Sequence, residues 1–124
     1  MKIPFRNQFT SVAAVATMAL APMAASAHGK LESAVPAAGS TLDAAPDALW
    51  LTFNEDLEST FSTVKVSDST GVAVTKEKAK VDASNPRVLT IALPKLASGS
   101  YSVQWAVMTH DAHKTKGTYA FQVK

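Results

Sequence analysis

Three histidines and one aspartate carry most of the chemistry this sequence offers. His110, Asp111 and His113 lie within "THDAHK", and His28 follows "ASA" near the N-terminus. In extended chain, residues two apart project to the same side, with Cα atoms about 6–7 Å apart. Asp111 and His113 can therefore reach one ion, while His110 points elsewhere. Alone, the signal is weak: an Asp-x-His pair in a polar loop is usually solvated, and a metal site needs further context.

That context is the position of His28. Lys2 and Arg6 precede the apolar stretch "FTSVAAVATMALA" (9–21), and Ala25-Ser26-Ala27 has the small-x-small pattern that signal peptidase cuts. The apolar run is shorter than the about 20 residues a membrane helix needs. The sequence thus predicts a cleaved secretory signal over residues 1–27 and an exported domain over 28–124, with no membrane anchor after cleavage. Cleavage there gives His28 a free α-amine, whose reference pKa of about 7.7–8.0 lets a metal displace its proton near neutrality. The amine and imidazole Nδ1 of one residue close a six-membered chelate ring. With a His113 nitrogen and an Asp111 oxygen the set becomes three nitrogens and one oxygen. Cu(II) favours tetragonal N,O surroundings and heads the divalent affinity order, whereas zinc would use the same ligands tetrahedrally and less tightly. The alternative is that His28 is merely tolerated at the cleavage site.

Composition narrows the classes further. Loss of Lys2 and Arg6 with the signal takes the 12 basic side chains to 10, which balance the 10 acidic ones. A near-neutral domain gives no support to nucleic-acid binding. The chain has no cysteine, so disulfides and thiolate metal sites are excluded. Any metal must be held by nitrogen, oxygen or thioether.

The elements that must position these residues read as strands. Apolar residues alternate in "ALWLTF", "STVKVS", "GVAVT", "VLTIAL", "YSVQWAV" and the C-terminal "TYAFQV", and turn residues separate the runs. With an N-terminal strand near 30–35, this predicts about seven short strands in an all-β, immunoglobulin-like antiparallel Greek-key sandwich. Tyr101, after the Gly99 turn in "LASGSY", resembles a tyrosine corner, and it and Trp105 fall on the inward parity. Trp50 is out of phase with Leu49, Leu51 and Phe53 and is expected to face outward. The segment "TKEKAKVDASNPR" (75–87) reads as a charged, solvated loop.

From His28 to Lys124 the sequence resembles the CopC family of periplasmic copper-resistance and copper-handling proteins. The resemblance rests on the N-terminal His, the "S-x-x-P-A-x-G" and "L-x-F-x-E-x-L" patterns of the first half, and the "G-x-Y-x-V-x-W…D-x-H-x-x-x-G-x-x-x-F" ending. It implies that His28 (amine and side chain), Asp111 and His113 hold one Cu(II) per chain. It also implies that Glu55, in "FNEDL", supports the site by orienting the amine or an imidazole. Two departures stand out. Family members that bind Cu(I) carry a Met-rich loop, but here Met108 is the one methionine after residue 27. The position after the D-x-H, often Pro in the family, is Lys114. His110 is expected to face solvent, and Met108 to lie in the core or at the fringe of the site.

The function these readings favour is a periplasmic Cu(II) carrier or buffer in copper homeostasis or resistance, not an enzyme, with an inner-membrane copper transporter as a possible recipient. The competing classes are a histidine-brace copper enzyme resembling polysaccharide monooxygenases, and a plain sandwich interaction domain with incidental histidines.

Overall fold

Each alternating run folds as a strand because its apolar set reaches the same core. Leu49, Leu51, Phe53, Val64, Val66, Leu89, Ile91, Tyr101, Val103, Val107, Phe121 and Val123 are all buried. The computed structural model describes residues 29–124; the expected signal over 1–27 and His28 lie outside the described residues. The strands are β1 (Leu31–Val35), β2 (Thr41–Leu42), β3 (Ala48–Phe53), β4 (Thr63–Asp68), β5 (Lys80–Asp82), β6 (Asn85–Ala92), β7 (Gly99–Met108) and β8 (Lys114–Val123). They form two four-stranded sheets, ordered β1-β3-β6-β5 and β2-β8-β7-β4, packed face to face around the core. The chain changes sheet between β1 and β2, β2 and β3, β3 and β4, β4 and β5, and β6 and β7, the Greek-key route of an immunoglobulin-like sandwich.

Three local expectations need correction. The strand expected at "GVAVT" does not form: Ala73 makes only an isolated bridge to Ser67, and Val72 is 60% exposed. Asp68 explains this, because its carboxylate accepts the backbone N–H groups of Thr70 and Val72 and turns the chain first. The expected loop over 75–87 contains β5 and the start of β6, where backbone pairing along a sheet edge overrides charged side chains that remain in solvent. The pairing of β2 with β8 is parallel, so the second sheet is mixed.

The aromatic residues take their expected places. The Tyr101 hydroxyl donates to the Ala97 carbonyl at 2.6 Å, and the ring stacks on Phe121. Trp105 meets Phe53 edge-on at 5.1 Å. Trp50 lies on the outer face of the first sheet, 45% exposed, directly opposite Val35.

Gly117 faces Trp105 across the β7–β8 pair, and a Cβ there would lie 2.5 Å from the indole Cζ2. Gly117→Ala should therefore displace Trp105 and cost about 1–3 kcal/mol, the usual range for overpacking. Urea denaturation followed by tryptophan fluorescence measures this; an unchanged midpoint would contradict the packing described.

Candidate metal centre

The long β7–β8 hairpin builds the candidate site at its tip. Its register runs unbroken from Gly99↔Val123 to Met108↔Lys114 and leaves residues 109–113 as the connection. The connection is tight. Thr109 N–H donates to the His113 carbonyl at 2.9 Å, Ala112 N–H donates to the Thr109 carbonyl at 2.9 Å, and Ala112 takes a left-handed φ of 68°. Thr109 is fully buried, anchored from below by its bridge to Leu57.

This turn brings Asp111 and His113 together. The Thr109 hydroxyl donates to Asp111 Oδ1 and accepts the His113 N–H at 3.2 Å. Asp111 Oδ2 then stands 3.1 Å from His113 Nδ1, with both side chains about half exposed (52% and 51%). The Thr109 hydroxyl, followed by the hydrogen bond from His113, pulls the Asp111 carboxyl down to a pKa of about 2. It is an anion at any ordinary pH.

The first described residues dock beside the same turn. Gly29 is buried with φ +65°, and its carbonyl accepts the Thr115 hydroxyl at 2.7 Å. A Cβ on Gly29 would lie 2.9 Å from Thr115 Oγ1 and 3.2 Å from Thr109 Cγ2, so only glycine lets the chain come this close. Lys30 is fixed in turn: its N–H donates to Asn54 Oδ1 at 2.8 Å, and its carbonyl accepts the Asn54 N–H at 3.0 Å. Glu55, the residue after Asn54, is half-buried at this end of the sandwich.

His110 projects away from the pair, as expected. Its exposed imidazole Nε2 lies 3.6 Å from Glu58 Oε1. Met108 is half-buried at the end of β7. Sequence reasoning missed Thr109, Gly29, Asn54 and Thr115. A threonine two residues before an aspartate in a polar loop is the one available signal, since such hydroxyls often bond their local neighbours.

The pair has the spacing of two adjacent metal ligands. Donors bound at about 2.0–2.1 Å sit about 2.8 Å apart in a square and about 3.3 Å apart in a tetrahedron; the observed 3.1 Å falls between them. Among the described residues no group of three His, Cys, Asp or Glu gathers for a metal, and Asp111 and His113 form a pair by themselves.

The CopC domain family matches residues 31–124. The chain belongs to the CopC family. It is 36% identical over 112 residues to protein YobA of Escherichia coli K12, covering 90% of each chain. It is 34% identical over 125 residues to copper resistance protein C of Pseudomonas syringae pv. tomato, covering 95% of this chain and 98% of that one. The crystal structure of CopC from Methylosinus trichosporium OB3b superposes with a TM-score of 0.74 at 39% identity, covering 78% of this chain and 94% of that one. These CopC relatives and the two-sheet architecture agree on the β-sandwich, and copper binding is the property the family membership implies.

The sign of the Asp111 shift makes a pH prediction for the metal-free protein. Its folded pKa lies below the ordinary 3.8, so the stabilisation is present above that value and is lost as pH falls through about 2. NMR titration of the Asp111 carboxyl carbon should give a midpoint near 2; a midpoint near 3.8 would mean that the Thr109 and His113 bonds do not hold in solution.

Proposed function

We propose that this CopC-family protein is a periplasmic Cu(II) carrier or buffer, exported by cleavage after Ala27, that holds one Cu(II) through His28, Asp111 and His113. The observation that carries the reading is the Asp111–His113 pair, 3.1 Å apart, on a turn against which Gly29 is packed. One peptide unit separates consecutive Cα atoms by about 3.8 Å. His28 is the residue bonded to Gly29, and in this reading it is the source of the further donors. His28 supplies an imidazole and, once Ala27 is removed, an amine.

Binding proceeds by exchange of protons for metal. In the metal-free turn the close Nδ1···Oδ2 contact is a hydrogen bond, so the ion replaces a proton shared between two ligands. Asp111 is already anionic, and the pH dependence of binding then belongs to the nitrogens. Hard nitrogen and oxygen donors suit Cu(II), and Met108 by itself cannot assemble a thioether site for Cu(I). A carboxylate among the ligands separates this set from the amine and two imidazoles of a histidine-brace enzyme, and it favours holding copper over oxidative chemistry. Half-exposed ligands also leave the ion open to a recipient, for which an inner-membrane copper transporter is the candidate. Glu55, two residues past the end of β3 and next to the Asn54 that bonds Lys30, is the candidate for orienting the amine or an imidazole.

The deciding comparison is between protein beginning at His28 and protein carrying one extra residue before it. The extension converts the amine to an amide and destroys the chelate ring, yet it leaves the core untouched. Cu(II) affinity, measured against one competitor, should fall by about a hundredfold or more, since losing a good ligand costs several kcal/mol. His113→Ala should weaken binding strongly and His110→Ala hardly at all; equal affinities for the two N-termini would remove His28's amine from the ligand set.

Affinity should also drop steadily from about pH 8 to about pH 5, the span of reference amine and imidazole pKa values. A flat profile over that span would contradict nitrogen ligation.

A further inference from the structure

Among the described residues, Thr109 meets both the Asp111–His113 pair and the chain at Gly29. Its side chain is fully buried, and each of its two γ atoms has a separate task. The hydroxyl has a single proton, given to Asp111 Oδ1, so its 3.4 Å approach to the His113 carbonyl is not a second donation. The same oxygen accepts the His113 N–H at 3.2 Å. The methyl group lies against Gly29, only 3.2 Å from where a Cβ on that residue would sit. Thr109 also closes the turn with its backbone, through the His113 carbonyl and the Ala112 N–H. One oxygen thus bonds the side chain of Asp111 and the backbone N–H of His113, tying both residues to the same point.

We propose that Thr109 is a positioning residue that sets the geometry of the metal centre, its hydroxyl fixing Asp111 and His113 and its methyl seating the N-terminal segment at Gly29. The inference rests on the reading that Asp111 and His113 bind copper, and it adds the group that gives those two side chains their spacing before any ion arrives. Rotamer freedom removed in advance is freedom the ion need not remove on binding. Partners that orient ligands typically change metal affinity by about 10–100-fold when lost.

Valine and serine divide the two tasks. Thr109→Val keeps the shape and the methyl contact but removes the hydroxyl; Thr109→Ser keeps the hydroxyl and removes the methyl. Both are made in protein beginning at His28, with His113→Ala alongside. Cu(II) is titrated against a competitor, and the Cu(II) electron paramagnetic resonance spectrum is recorded. T109V should bind about tenfold or more weakly with altered copper hyperfine splitting, while T109S should keep the wild-type spectrum and lose only a few-fold in affinity. A purely structural role would shift the melting temperature of T109V but leave its spectrum unchanged. Wild-type spectrum and affinity in T109V, with binding lost in H113A, would overturn this proposal and leave the ligand assignment standing. Wild-type binding in H113A would overturn the ligand assignment, and this inference with it. Should T109V fail to fold, Thr109→Ala against Thr109→Ser carries the same comparison: an unchanged spectrum in the alanine variant is then the overturning result.

Discussion

The ten-residue pairing of β7 with β8 is the constraint on which the rest of this structure depends. Because the ladder has no slip, each inward residue of one strand meets a fixed partner on the other. Tyr101 opposes Phe121 and stacks on it; Trp105 opposes Gly117, the one residue type that leaves room for the indole. A slip of one residue would turn the apolar set of the shifted strand to solvent. Core packing thus locks the register, and the register determines where the hairpin ends. The five residues left over, 109–113, have no freedom to choose another place for Asp111 and His113.

The end of the hairpin is organised around opposite demands. The turn is rigid at its base, where Thr109 is buried and bonded, and open at its tip, where Asp111 and His113 stay about half exposed. The proposed cargo role needs both. A rigid base presets the ligands, and an open tip allows the ion to pass to another protein without the sandwich coming apart. The low Asp111 pKa is the electrostatic counterpart of that arrangement. The hydroxyl and imidazole that depress it hold an anion in place, ready for a cation, at no cost in buried charge.

The opposite side of the site is built by backbone contacts. Gly29 and Lys30 are held by Thr109 and Thr115 of the β7–β8 hairpin and by Asn54 just past β3, two separate stretches of chain. The start of the domain is therefore fastened to the start of β8 and the end of β3 before β1 begins. In the proposed reading this fastening lets the first residue of a mature chain act as a ligand, since a loose terminus would lose most of its chelating advantage to entropy.

The alternation of Leu49, Leu51 and Phe53, of Val64 and Val66, and of Leu89 and Ile91 by itself determined the strands, the buried face and the outward Trp50, because period two is a property of the extended backbone. The residue types in "DAH" likewise determined that any metal bound there meets nitrogen and oxygen. Local order did not determine the fate of "GVAVT" or of residues 80–82: the first was pre-empted by the Asp68 side chain, and the second was recruited by the free edge of β6. The Thr109 bonds to Asp111 and His113 span only two and four residues, whereas tertiary structure alone decided that Gly29 lies against Thr109 and Thr115. Eighty or more residues separate Gly29 from both, and only a closed sandwich brings such positions into contact.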